Sequence, residues 1–218
     1  MAITAAQVKA LREKTGAGMM DCKKALTESG GDEAKAIEWL RTKGLSDAGK
    51  KASRVAAEGA VVSYIHPGAK VGVLVEINCQ TDFVARGEDF NGFAKDVAMQ
   101  IAAAQPQYVR REEVPEDVVS KERELFKAEV IESGKPEKIA DKIVDGKINK
   151  WFSEICLMEQ PWVKEPKTTL EQLRAEVVHK TGENVQVRRF SRFVLGEGIE
   201  KKQENLAEEI AKMQAAKS

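Results

Sequence analysis

Three cysteines and two histidines are the side chains of this sequence best suited to thiol nucleophilic chemistry or to zinc ligation. Cys22, Cys79 and Cys156 are widely spaced, and neither His66 nor His179 has a second ligand at the short separation of a zinc site. No metal and no cofactor is expected. Both histidines fall at the ends of expected elements, where a solvated surface position is the ordinary role. A thiol nucleophile needs a base beside it. Cys22 lies on the inward face of a helix and Cys79 ends a strand, and neither has a histidine close in sequence. Small buried hydrophobes describe both better, although a triad assembled from distant segments stays open on sequence alone. There is no Gly-x-x-x-x-Gly-Lys-Ser/Thr loop, so the chain is not expected to bind a nucleotide directly. The basic pairs Arg110-Arg111 and Arg188-Arg189 read as solvated faces, the first with carboxylates close by at Glu112 and Glu113.

The remaining chemistry is that of recognition. Asn78-Cys79-Gln80-Thr81-Asp82-Phe83-Val84-Ala85-Arg86 follows a β-like run and precedes an amphipathic helix that begins near Asp89. A short loop there carries a carboxylate beside a large aromatic. Such a Phe83 is suited to insertion into a partner's pocket. On the residues alone, Phe83 capping its own core is the commoner explanation. Met19 and Met20 follow a glycine-rich turn, Gly16-Ala17-Gly18. Successive helical side chains lie about 100° apart, which places Met19 inside with Cys22 and Leu26 and Met20 outside with Lys23 and Thr27. An exposed Met is an adaptable contact for a partner helix, and a partly buried Met is the plain alternative.

These residues are positioned by a recognisable series of elements. Residues 1–45 read as three short helices. Thr4 and Gln7 make a capping box opening the first, Gly16 and Gly18 break it, Gly30-Gly31 ends the second, and Asp32 caps a third that stops at Gly44. Residues 46–56 are small and charged and read as a linker with room for some helix. Gly59 to His66 and Val71 to Cys79 form an antiparallel hairpin, with Val71, Val73, Val75 and Ile77 sharing one face. Phe90, Phe93, Ala94, Val97, Ala98 and Ile101 have helical spacing and pack a helix on that sheet. Pro115 and Pro136 open two long helices joined at Gly134-Lys135, an antiparallel hairpin with charged faces. Thr168 and Glu171 form a second capping box, Gly182 stops that helix, and Val185 to Leu195 is a third strand. A charged C-terminal helix closes the chain. The fold class is therefore α+β. A core at 57–110 and 168–198 carries a three-stranded antiparallel sheet, with a helical hairpin at 111–160 and a C-terminal helix at 199–218.

The run Asn78-Cys79-Gln80-Thr81-Asp82-Phe83-Val84-Ala85 resembles, residue by residue, the signature loop of the bacterial elongation factor Ts family. Further matches are the run from Arg12 through Met19-Met20-Asp21-Cys22 to Leu26, the Ser133-Gly134-Lys135-Pro136 segment, Gln160-Pro161-Trp162-Val163 and Gly196-Glu197-Gly198-Ile199-Glu200-Lys201. They lie in the family's order and span nearly the whole chain. The resemblance implies a non-enzymatic guanine-nucleotide exchange factor for elongation factor Tu. It implies a ubiquitin-associated-like form for residues 1–45. Thr81, Asp82, Phe83 and Val84 would then disturb the partner's Mg²⁺ site, and Arg12, Gly18, Met19 and Met20 would contact its GTP-binding domain. Longer members carry two α/β units where this chain has room for one. The shorter form implies a homodimer joined through the core, because a three-stranded sheet leaves edges uncovered. An interaction adaptor built from the three-helix module and the hairpin is the alternative, and a cysteine hydrolase is a distant third.

Composition bounds the rest. Thirty-five basic and 35 acidic residues cancel in 218, which argues against a general nucleic-acid binder. No apolar run approaches the roughly 20 residues that cross a bilayer, so no membrane partner is expected. An odd number of scattered cysteines fits a reducing cytoplasm.

Overall fold

The computed structural model describes residues 3–134 and 137–199. The expected hairpin tip at Lys135-Pro136 and the expected C-terminal helix from residue 200 onward lie outside the described residues. Within them the chain is α+β, with eight α-helices and a three-stranded antiparallel sheet.

The first three helices are α1 (Ala5–Thr15), α2 (Met19–Glu28) and α3 (Glu33–Lys51). The Thr4–Gln7 capping box forms, Gly16 closes α1 in the left-handed conformation, and Asp32 caps α3 by accepting from the Lys35 amide at 3.1 Å. Their shared core is small: Val8, Leu11, Ala17, Cys22, Ala25, Leu26, Ala36 and Leu40. So few side chains, several of them alanine or cysteine, supply little burial on their own. The module gains the rest by docking.

That docking corrects two expectations. The third helix does not stop at Gly44, and residues 46–56 are not a linker throughout. Helix α3 runs on to Lys51, and Ala48 is buried in the main core. The continuation is held by packing on α8 (Leu170–Thr181): at Gly44 a Cβ would meet the Ala175 carbonyl oxygen at 3.5 Å, an ordinary contact distance, so the helices lie close while leaving room for a methyl. A glycine inside a helix costs about 1 kcal/mol of propensity, which packing such as that of Ala48 offsets.

Strands β1 (Glu58–Ile65), β2 (Val71–Cys79) and β5 (Gln186–Val194) form one sheet in the order β1-β2-β5. Val73, Val75, Ile77 and Cys79 face inward, as their alternation requires. The short helical turn α4 (Asp82–Ala85) leads to α5 (Glu88–Ala104), which covers the inner face with Phe90, Phe93, Val97 and Ile101. Helix α8 adds Leu170, Val177 and Val178. The outer face is apolar but uncovered: Val61, Ile65, Leu74 and Phe193 are exposed, around a Glu76 that pairs with both Arg188 and Arg189. Those two guanidiniums hold the Glu76 carboxyl below its ordinary range.

Helices α6 (Glu116–Glu132) and α7 (Glu137–Ile155) pack on each other through Val130, Ala140, Val144, Ile148 and Phe152. Backbone bonds fix their base, with Leu157 N donating to Tyr108 O at 2.9 Å and Met158 N to Val109 O at 3.1 Å. A two-stranded ribbon, β3 (Pro161–Trp162) with β4 (Glu165–Thr169), went unpredicted. It is anchored by the fully buried Gln100, whose amide donates to Gln160 Oε1 and Pro161 O at 3.2 Å and accepts from Val163 N at 2.9 Å. The second capping box is shifted one residue from expectation. Thr168 is buried in β4, so Thr169 caps α8 with Gln172.

The α3–α8 contact yields a paired test. Gly44→Ala should fit at ordinary contact distance and stabilise the chain by up to about 1 kcal/mol, the helix-propensity difference. Gly44→Leu should separate the helices and destabilise by about 1–3 kcal/mol, the usual range for overpacking. Thermal denaturation of the two variants checks the order.

Candidate partner-binding site

The signature segment is not an open loop. Thr81 has an extended backbone and its hydroxyl accepts from the Val84 amide at 3.4 Å, capping the single turn α4. Val84 and Ala85 pack against the core. Phe83 points the other way and is 84% exposed, whereas Phe90, seven residues on, is fully buried. Asp82 is exposed and pairs with Arg86 at 2.9 Å. An exposed i,i+4 pair contributes little, so Asp82 can exchange Arg86 for another donor at small cost.

Two backbone amides are left over where β2 ends, because the ladder with β1 closes at Cys79 opposite Glu58. Both are satisfied from far away in sequence. Glu183 Oε2 accepts from Gln80 N at 3.0 Å and Thr81 N at 3.1 Å, and Glu183 Oε1 accepts from the Thr81 hydroxyl at 2.7 Å. Cys79 Sγ donates to Thr81 O at 3.1 Å. Burial pushes the Cys79 thiol up, and the Glu183 charge adds to the shift. Burial likewise drives Cys156 to about 12. Thiols held protonated are poor nucleophiles, and all three cysteines are buried.

The second set of expected residues surrounds the turn between α1 and α2. Arg12 and Gly18 are exposed. Gly18 is the N-cap of α2, and its carbonyl accepts from Cys22 N at 2.9 Å. Met20 is 74% exposed, as its helical position predicted. Met19 was expected inside and is instead 55% exposed. Helical side chains lean toward the N-terminus, so Met19 in the first turn projects past the packed Cys22 and Leu26. The turn therefore shows two adjacent methionines.

The C-terminal end of α8 links the two sets. The Lys180 methylenes lie against Gly16, where a Cβ would come within 2.7 Å of Cε, and Lys180 Nζ is 3.5 Å from Asp89 at the start of α5. His179, expected to be solvated, is instead mostly buried. Its Nε2 faces Asp21 of α2 at 3.4 Å and its Nδ1 faces Asp47 of α3 at 3.3 Å. Asp21 also pairs with Lys43. Beside this contact lies a cavity of about 300 Å³ lined by Arg41, Trp162, Thr168 and Glu176 among others. Burial raises the Glu176 carboxyl, partly countered by Arg41.

A family model described as Elongation factor TS matches residues 48–197. The chain is 66% identical over 210 residues to Elongation factor Ts of Anaeromyxobacter sp. (strain K), covering 96% of each. The chain belongs to the elongation factor Ts family. Among further relatives, Elongation factor Ts of Geobacter sulfurreducens is 60% identical over 211 residues, covering 97% of this chain and 98% of the relative. That of Desulforamulus reducens is 60% identical over 209 residues, covering 96% of each. The α+β architecture is consistent with this membership. Among the described residues no helix is long and apolar enough to cross a membrane, and no cluster of three potential metal ligands occurs.

Glu183 and Lys180 were missed by sequence reasoning, and His179 was read as a solvated surface residue. The available signal was Gly182-Glu183-Asn184, polar residues directly after a glycine helix stop, where side chains commonly bond to backbone.

The exposure contrast gives a direct stability test. Phe83→Ala should leave the melting temperature nearly unchanged, because little of the ring is buried. Phe90→Ala should cost about 3–5 kcal/mol, the usual loss for a core phenylalanine. Thermal or denaturant unfolding of both variants separates them, and comparable losses would place Phe83 in the core.

Proposed function

We propose that this chain is a guanine-nucleotide exchange factor for elongation factor Tu, acting through Thr81, Asp82, Phe83 and Val84. The observation that carries the reading is Phe83 itself. A phenylalanine 84% exposed, on a turn that is capped and anchored rather than loose, has no role in its own fold. Large aromatics of this kind are the usual anchors of a protein interface. In a GTPase, Mg²⁺ and the phosphate-loop amides neutralise the nucleotide's phosphates. A wedge that shifts the elements holding the ion weakens GDP binding without touching the nucleotide. Asp82 supplies polar contacts beside the wedge, Thr81 caps the turn and Val84 roots it in the core. Residues 1–45, in the ubiquitin-associated-like form the family resemblance implies, dock on the GTP-binding domain through Arg12, Gly18, Met19 and Met20. Linkage makes the effect reciprocal: nucleotide weakens the factor's binding by the same factor. The factor itself performs no covalent chemistry, and cytoplasmic translation is its setting.

The reading includes self-association. Both edges of the sheet, β1 and β5, lack a neighbouring strand among the described residues. The outer face exposes Val61, Ile65, Leu74 and Phe193. An apolar face with free edges is a surface that proteins ordinarily cover. A second copy of the chain covers it here, joined through the core as a symmetric homodimer.

Two measurements test these statements. In a stopped-flow assay of GDP release from elongation factor Tu, Phe83→Ala should slow stimulated release at least roughly tenfold, or about 1.4 kcal/mol. Asp82→Ala should act in the same direction and less strongly. Binding without acceleration by the parent protein would instead favour the adaptor role. In light scattering at micromolar concentration, the parent should run as a dimer and Phe193→Glu as a monomer. A parent mass that stays monomeric at every concentration refutes the dimer.

A further inference from the structure

We infer that Glu183 is the positioning residue of the signature turn: its carboxylate holds Phe83 in the presenting geometry. This rests on the wedge reading of Phe83 and adds to it a residue outside the 81–84 segment. Helix α4 has four residues. An isolated turn of that length is unstable in water, because nucleation fixes several residues for one hydrogen bond. Val84 and Ala85 supply some packing on the core, and the rest of its stability comes from its two ends. At the C-terminal end, Asn91 Nδ2 donates to Ala85 O at 3.2 Å and Gly87 O at 2.9 Å. At the N-terminal end, the only charged group bonded to the backbone of Gln80 and Thr81 among the described residues is Glu183.

Its contacts are specific in kind. One oxygen takes both backbone N–H groups, and the other takes the Thr81 hydroxyl proton. That second bond orients the hydroxyl so that a lone pair faces the Val84 amide, the capping bond of α4. The carboxylate thus fixes the rotor that caps the turn that carries the phenylalanine. Bonds to an ionised acceptor are stronger than neutral ones. Glu183 is itself held, since its own amide donates to Thr181 Oγ1 at 3.4 Å. The next residue, Asn184, is buried and donates to Ala52 O at 3.3 Å and Arg54 O at 2.8 Å. The anchor therefore comes from a rigid part of the core.

The test is a double-mutant cycle on the full chain, read by stimulated GDP release from elongation factor Tu and by amide hydrogen exchange. Glu183→Ala should lower the saturating release rate about tenfold, with a smaller change in the concentration for half-saturation, since Met19, Met20 and the N-terminal turn are untouched. Glu183→Gln keeps an acceptor oxygen for the two amides but loses the one for the Thr81 hydroxyl, and should recover only part of that rate. In a Phe83→Ala background, Glu183→Ala should add less than about twofold, because the two residues act as one unit. Exchange at the Gln80 and Thr81 amides should accelerate at least about tenfold in Glu183→Ala and less in Glu183→Gln. An unchanged rate, or a full additional loss in the Phe83→Ala background, overturns the positioning role. If Phe83→Ala alone leaves release unchanged, the wedge reading fails. Unchanged amide exchange in Glu183→Ala would then show separately that Glu183 does not hold the turn. Should Glu183→Ala fail to fold, Thr81→Val against Thr81→Ser tests the same hydroxyl link, with loss expected only for valine and equal rates refuting it.

Discussion

Four side chains at and just after the C-terminal end of α8 reach five different segments. His179 meets α2 and α3 through Asp21 and Asp47, and Lys180 meets the start of α5 through Asp89. Glu183 meets the end of β2, and Asn184 meets the segment that leaves α3. Each contact joins residues about 90 or more apart in sequence. Because α8 packs on both α5 and the sheet, this one terminus ties the three-helix module and the signature turn to the same body. The module has a small core, and the turn is a single helical turn.

The same constraint explains where charge is buried. Most ion pairs among the described residues are solvent-exposed and contribute little each. Several of the exceptions lie along α8. Glu176 is driven up by burial beside Arg41, and the buried Arg174 pairs with Glu171 and donates to Val185 O at 2.9 Å. Breaking such partly buried pairs leaves an uncompensated group, so they specify geometry more than they add stability. Charge at the seam fixes how α3 lies on α8 in a way that interchangeable alkyl contacts could not.

Regular elements were legible in the sequence because their signals are local. The alternation in β2, the helical spacing of Phe90, Phe93, Val97 and Ile101, and the capping residues Thr4 and Asp32 each reflect interactions within a few residues. The signature segment was legible by resemblance; its exposure was not. On residues alone, Phe83 would have been placed in the core with Phe90. The errors share a cause as well. Gly44 reads as a helix stop until α8 is seen to pack along the helix that continues past it. His179 reads as surface until Asp21 and Asp47 arrive from elsewhere. Met19 reads as buried until the packed neighbours prove to end one turn short of it. Glu183 and Gln100 carry no local pattern, since their partners are assembled only by the fold.

The unbroken course of α3 has a mechanical consequence. Its 19 residues span about 28 Å at a rise of 1.5 Å each, and they belong to two cores at once. A helix gripped at both ends behaves as a strut, whereas a flexible connection would let the module search for its own position. The spacing between the paired methionines of the module and the phenylalanine of the signature turn is thus built in before any partner arrives. The two exposed features stand like the jaws of a caliper whose opening is fixed by the helix between them.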